Sequence, residues 1–360
     1  MASGIFSIQE LGGVRMAKEL LSVTQLEVGF DTDNGLARVL DNVNFEIMPG
    51  EIVGLVGESG CGKTTLARAI LGVLPRNSAR ISSGSIQFEG KDLLKLSSAD
   101  LATNIRGKLI TFIPQDPLSS FNPVFTIGAQ MMELMKWKSP DRPPIKMFMR
   151  YDKARKASDR TRILDLLQTV QLPDPEGILR KYPHEVSGGQ RQRLMIAMAL
   201  LPEPRMIIAD EPTTALDVTI QAQILKLLRG VAVERGVSVL FTTHDLGAAY
   251  EICDRITVMY AGQEVETAKS KDFFSRPLHP YTQKLLQSLP SHSENIKGIP
   301  GQIPALINPP TGCRFHPRCE LSNDDCVKTR PTVKWPEKEH MLRCFNSNGL
   351  AFGGAENVNK

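Results

Sequence analysis

The chain has 360 residues, 41% of them hydrophobic and 23% charged, with a formal net charge of +4. That is enough length and apolar content for a large core in two domains, and too little basic excess to argue for a nucleic-acid binder. No run approaches the roughly eighteen apolar residues of a membrane span and no secretory leader is visible, so the expectation is a cytosolic protein whose six cysteines are not disulfide-bonded.

Residues 1–15 read as a loose extension, and MAKELLSV from Met16 as the start of the folded part. The runs LLSVTQLEV, NVNFEI and EIVGLV are strand-like, separated by Asp, Asn and Gly turns. GESGCGKTT follows, and then a helical run, LARAILGVL; SIQFEG and KLITFIPQ return to strand. From about 125 to 200, Met and Leu recur at helical spacing, with SPDRPPIKMFMRYDKARKASDR expected as a basic, Pro-rich surface insertion. Between 206 and 260 the strands MIIAD, VSVLFTTH and ITVMY alternate with the helix VTIQAQILKLLRGVAVERG. That alternation implies α/β architecture with a mostly parallel sheet. The expected division is a domain over 16–270 and a C-terminal region over 271–360, the latter a small irregular appendage rich in Pro and Cys. No internal repeat is present.

Gly57, Glu58, Ser59, Gly60, Cys61, Gly62, Lys63 and Thr64 fit G-x-x-x-x-G-K-[ST] between a strand and a helix, and Thr65 extends the loop. Glycines let successive N–H groups curl around a polyphosphate, and the helix N-terminus adds its positive end. Lys63 is placed to reach the terminal phosphates of ATP, and the Thr64 hydroxyl to ligate Mg²⁺. Cys61 contributes small size. The apolar strand MIIAD ends in Asp210, a candidate for the Mg²⁺ shell, and Glu211, the candidate base for an attacking water. A solvated acid pair at a strand end is the bland alternative; the upstream loop argues against it. A second anion site begins at Ser187, a serine N-cap followed by Gly188, Gly189 and Gln190. A plain cap explains the serine but not the glycine pair.

GESGCGKTT, Gln115 in FIPQDP, VSGGQRQR, IIADEPTTALD and His244 in FTTHD occur in that order. Together they make the chain resemble an ATP-binding cassette (ABC) ATPase subunit over about residues 20–345. The resemblance implies a RecA-like core, an antiparallel β subdomain and a helical signature subdomain. It also implies a head-to-tail dimer in which Ser187, Gly188 and Gly189 cap the γ-phosphate held by the opposite lysine loop. By position it assigns adenine stacking to Phe30, Mg²⁺ and water contact to Gln115, γ-phosphate contact to His244 and the dimer seam to Asp217. The stretches FIPQDPLSSFNPVFTIG, RPLHPYTQKLLQSLP and IPGQIPALINPPTGCRFHPRC are similar to those of bacterial dipeptide and oligopeptide importers. That branch implies a second homologous ATPase, two permeases beneath which the pair sits at the cytoplasmic face, and an extracytoplasmic binding protein. Peptide is the best substrate reading; nickel, opines, glutathione and oligosaccharides are carried by similar cassettes. AQMMELMKW is expected to give side chains both to a permease dock and to the subdomain core. A soluble ABC ATPase acting on nucleic acid or ribosomes is the competing class. No coiled coil fits between Thr65 and Ser187, and one chain carries one cassette.

Cys313, Cys319, Cys326 and Cys344 cluster in the C-terminal region, with intervals of five, six and seventeen residues. In a reducing compartment such a set suggests a metal site, but the intervals match neither structural zinc nor the bacterial ferredoxin run. Spacing alone leaves the metal open. The importer resemblance favours a [4Fe–4S] cluster, with His316 shaping the loop.

Overall fold

The computed structural model describes residues 18–140, 151–214, 217–289 and 298–346. The N-terminal extension, part of the insertion, and the Ala and Leu of the ALD stretch lie outside them. In chain order come β1 (Leu21–Thr32), β2 (Gly35–Ile47), β3 (Ile52–Val56), α1 (Lys63–Leu71), β4 (Ala79–Phe88), β5 (Lys91–Asp92) and β6 (Ile110–Ile113). After a one-turn helix at Pro117–Ser120 come α2 (Ile127–Lys138), α3 (Lys153–Thr169), α4 (Pro175–Arg180) and α5 (Gly188–Leu200). Next are β7 (Met206–Asp210), α6 (Val218–Arg235), β8 (Ser238–Thr243), α7 (Leu246–Ile252), β9 (Arg255–Tyr260) and β10 (Gln263–Lys269). The chain then runs through α8 (Ser270–Ser275), α9 (Pro280–Gln287), α10 (Asp324–Lys328), β11 (Lys334–Glu337) and β12 (His340–Leu342).

Two sheets organise these elements. One is antiparallel, in the order β2-β1-β4-β5; the other has eight strands in the order β11-β12-β10-β9-β3-β8-β7-β6. In the larger sheet β6, β7, β8, β3 and β9 are parallel neighbours. Every residue of β3, β7 and β8 is buried, as a parallel sheet covered on both faces requires. This explains why IVGLV and MIIAD read as unbroken apolar runs. The α/β expectation holds. β3 delivers the chain to the lysine loop and β7 delivers it to the acid pair, so both meet at the carboxyl ends of parallel strands separated only by β8.

One core cluster joins the larger sheet to α2–α7 and reaches Phe273, Tyr281 and Phe315 in the C-terminal region; the other lies under the antiparallel sheet and α1. Met131 and Met135 of α2 are fully buried in the first. The start of α3 departs from the sequence expectation. Asp152 caps it by accepting from the Arg155 N–H at 2.9 Å, and Arg155 and Asp159 are buried and paired at 3.4 Å. The described half of the basic stretch is helical and mostly exposed, with Arg155 and Asp159 turned inward.

The C-terminal region is also more integrated than an irregular appendage. β12 pairs with β10 and β11 with β12, extending the main sheet. Arg314 pairs with Asp41 of β2 at 2.6 Å and Arg330 with the same carboxylate at 3.0 Å. His340 contacts Glu266 at 2.8 Å in a buried pair.

Candidate active site

The phosphate loop takes its shape from residues that only glycine satisfies. Gly57 has φ 153°, and a Cβ there would lie 2.2 Å from the Met259 carbonyl. Gly62, at φ 110°, turns the chain into α1. Lys63 is buried, its Nζ donating to the Gly57 carbonyl at 2.6 Å and the Glu58 carbonyl at 3.2 Å. Ser59 and Gly60 are exposed, and Thr65 is half-buried on α1. Cys61 is buried, and burial pushes its thiol up against the opposing pull of Lys63. It serves as a small filler, not a reactive thiol.

Asp210 and Glu211 lie beside the phosphate loop. Thr64 Oγ1 lies 3.4 Å from Asp210 Oδ1, and the Thr242 hydroxyl donates to that same oxygen. Two oxygens of a hydroxyl and a carboxylate, side by side beneath a phosphate loop, form the hard donor set Mg²⁺ takes. Glu211 adopts φ 47°, a sparsely populated conformation for a non-glycine residue. Its N–H is held by the Thr242 carbonyl at 2.9 Å. The Glu211 carboxylate is the hub. Gln115 Nε2 donates to one oxygen at 3.0 Å, and His244 Nδ1 reaches the other at 3.1 Å. The Thr214 hydroxyl adds a third contact at 3.3 Å. Residues 115, 211 and 244 arrive from three strand ends and meet at one carboxylate. The sequence reading missed Thr214 and Thr242; the hydroxyl two residues before His244 in FTTHD was the available signal.

The second anion site is formed differently. Ser187 Oγ accepts from the Gln190 N–H at 3.3 Å, and Gln190 Oε1 accepts from the Ser187 N–H at 3.0 Å. This capping box opens α5. Ser187 is exposed. Gly188 and Gly189 form the first turn, where N–H groups lack intrahelical acceptors. Asp217 caps α6 by accepting from the Ile220 N–H at 2.9 Å, next to an exposed Val218. Phe30 is half-buried on β1 and packs against the core under the antiparallel sheet.

The comparisons with known proteins agree with this geometry. Residues 40–214 match the ABC transporter family, and residues 265–326 match the oligopeptide/dipeptide transporter C-terminal region. The chain is 42% identical over 331 residues to the dipeptide transport ATP-binding protein DppD of Bacillus subtilis, covering 91% of this chain and 95% of that one. It is also 42% identical over 333 residues to a probable peptide ABC transporter ATP-binding protein, y4tR, of Sinorhizobium fredii, with 91% and 95% covered. The chain belongs to the ABC transporter ATP-binding proteins. The ATP-binding cassette MJ0796, solved as a dimer bound to ADP and Pi after hydrolysis, superposes with a TM-score of 0.58 at 26% identity, over 69% of this chain and 98% of that one. This ABC subunit is accordingly an ATP hydrolase.

The four C-terminal cysteines come together in the fold. Cys313, Cys319, Cys326 and Cys344 are free thiols and line one cavity, together with His279 and His316. The cavity measures about 10 Å³, room for one water molecule. Among the described residues no group of three or more His, Cys, Asp or Glu is arranged to hold a metal ion. Burial, with the neighbouring cysteines, pushes Cys313 up to about 12 and Cys344 up to about 11. Convergence of the cysteines was legible in the sequence; among the described residues nothing identifies a metal between them.

Proposed function

We propose that this ABC subunit powers uptake of di- or oligopeptides as one of two ATPases beneath a pair of membrane permeases. The observation that carries the reading is the convergence of Gln115 and His244 on the Glu211 carboxylate, next to the Thr64–Asp210 pair and the Lys63 loop. The peptide assignment is supported by the match of residues 265–326 and by the peptide-transport names of the relatives.

In this reading the glycine-rich loop and Lys63 bind the β- and γ-phosphates of ATP, with Thr64, Asp210 and Gln115 as the Mg²⁺ side. Bound Mg²⁺ neutralises charge on the phosphate oxygens. Glu211 accepts the proton of the attacking water; His244 and Gln115 fix its carboxylate so that one oxygen faces that water. Asp210 keeps its rotamer through Thr242. The Ser187 hydroxyl and the Gly188 and Gly189 N–H groups face the γ-phosphate bound by a second cassette, and Asp217 lies along the seam between the two. Phe30 offers its free face to the adenine.

A groove of about 450 Å³ supports the permease contact. Its walls include Leu134 of α2, Met195 and Met198 of α5, Phe112 of β6 and Val73. Phe112 and Val73 are exposed large apolar side chains, and flexible Met side chains suit a helix docking across the groove. Of AQMMELMKW, Met131 and Met135 serve the core while Leu134 faces the groove. Among the described residues no helix is long and apolar enough to cross a membrane; attachment at the cytoplasmic face would come through the permeases, with an extracytoplasmic binding protein delivering the peptide.

Glu211→Gln in the presence of ATP tests the whole. The expected product is a trapped, ATP-loaded pair of ATPases with the permeases attached, and cells that no longer take up peptide. A purified complex without membrane subunits that enriches nucleic acid would overturn it. The metal reading of the cysteines is supported only by their convergence on one cavity. Anaerobic purification with iron and zinc analysis decides it: broad visible absorbance with iron sustains a cluster, and colourless, metal-free protein removes it.

A further inference from the structure

Glu58 is an anomaly in the phosphate loop. Every other feature of that loop attracts negative charge: the curled N–H groups, the start of α1 and Lys63. A carboxylate placed there without compensation repels the polyphosphate it surrounds. The compensation comes from 260 residues away in the chain. Arg318 holds both Glu58 oxygens as a fork, Nη1 to Oε2 at 2.8 Å and Nη2 to Oε1 at 3.0 Å. The Arg318 side chain is only 3% exposed. Its other donors are also taken, by the Pro300 carbonyl at 2.9 Å, the Ile299 carbonyl at 3.1 Å and the Tyr260 hydroxyl at 3.3 Å. The guanidinium therefore cannot swing away without losing all of them together.

The backbone of Glu58 is held as well. Its N–H donates to the Tyr281 hydroxyl at 3.0 Å. Tyr281 is fully buried on α9 and packs against Tyr260 and Phe315, with ring centroids 4.6 and 5.3 Å away. Arg318 and Tyr281 both lie beyond β10, in the part of the chain outside the lysine-loop and acid-pair strands. The same carbonyl of Glu58 receives Lys63 Nζ at 3.2 Å, so the residue they fix is also one on which the catalytic lysine rests.

We propose that Arg318 and Tyr281 are positioning residues for the phosphate loop. They set the conformation of Glu58 and cancel its charge, and through it the C-terminal region governs how tightly this subunit holds ATP. The inference rests on the nucleotide-site reading above and adds to it a control of affinity exerted from outside the cassette motifs. Neither residue touches the reacting atoms. The effect belongs to nucleotide affinity rather than to the chemical step.

The test is fluorescent-ATP binding to the full-length chain, with KM and kcat measured on the assembled transporter. Arg318→Met is expected to raise the Kd for ATP about tenfold, the size of a lost hydrogen-bonded charge pair at a partly exposed site. Turnover at saturation should stay within about twofold, since no interaction special to the transition state is removed. Arg318→Lys should recover only part, because an ammonium cannot span both oxygens. Combining Glu58→Gln with Arg318→Met should bring Kd back to within about threefold of wild type, because the stranded carboxylate is gone. A purely structural role for Arg318 predicts no such rescue, and its absence overturns the proposal. So does an unchanged Kd in a folded Arg318→Met chain. If thermal melts show that chain unfolded, Tyr281→Phe decides: it keeps the ring and removes one hydroxyl. A Kd raised about threefold sustains the proposal and an unchanged Kd ends it. Wild-type chain that fails to bind ATP would remove the nucleotide-site reading and this inference together; wild-type binding with unshifted variants removes this inference alone.

Discussion

The two anion-binding turns of the molecule are built to opposite standards of completeness. At the loop around Lys63, the side chain is buried and already hydrogen-bonded, and an acidic hub stands formed beside it. At Ser187 the helix start is exposed, its cap bonds serve only its own first turn, and the glycine N–H groups of that turn lack intrahelical acceptors. The first turn has its complement within the chain. The second has a donor surface and no local acceptor. In the function proposed above, a second cassette laid head to tail supplies what each turn lacks; the related cassette MJ0796 was solved as a dimer.

That contrast can be broken in graded ways. The largest effect is expected from Glu211→Gln, which should lower ATP turnover about a thousandfold while leaving nucleotide bound, the usual scale for loss of a general base. Gly189→Asp comes next. It places a negative charge where the second turn would meet phosphate, so turnover by the assembled transporter should fall by at least about tenfold. ATP affinity of the isolated chain should not move. A matching loss of affinity in the isolated chain would show that both turns serve one nucleotide in one chain, and would dissolve the distinction. Asp41→Asn probes the ion pairs that hold the C-terminal region to β2 and should cost about 2 kcal/mol in denaturant unfolding. Burial raises the Asp41 carboxyl, but Arg314 and Arg330 outweigh it and hold it below its ordinary value of 3.8. Its folded-state value is thus depressed, so its contribution is complete above that pH and is lost as pH falls further. Wild type should lose this increment between about pH 4 and lower, while Asp41→Asn shows no such step. The smallest effect is expected from Ser187→Ala, about 1 kcal/mol of thermal stability from the lost cap. Much larger destabilisation would mean that the second turn is a structural element first.

The lysine loop, the acid strand and the signature turn were legible because each is contiguous and its geometry is carried by backbone: glycines at required φ, a serine at a helix start, an apolar strand ending in acids. Gln115 and His244 were placed by the resemblance, and their meeting at Glu211 needed the fold, since three separate strand ends bring them together. What stayed hidden depends on partners far apart in sequence. Arg318 reads locally as one more basic residue in HPRC, and its pairing with Glu58 leaves no periodic trace. Arg155 and Asp159 read as part of a basic surface run, yet they neutralise each other one helical turn apart and go inside. The cysteines were grouped correctly by proximity, but a count of thiols says nothing about the size of the space between them.

β11 has one more consequence. Its four residues, Lys334, Trp335, Pro336 and Glu337, are all exposed, and they finish the open side of an eight-stranded sheet. A proline there has no N–H to lend to an incoming strand, and an edge of only four residues that also carries charge offers a poor template. On the β11 side, the sheet is thereby discouraged from adding a further strand.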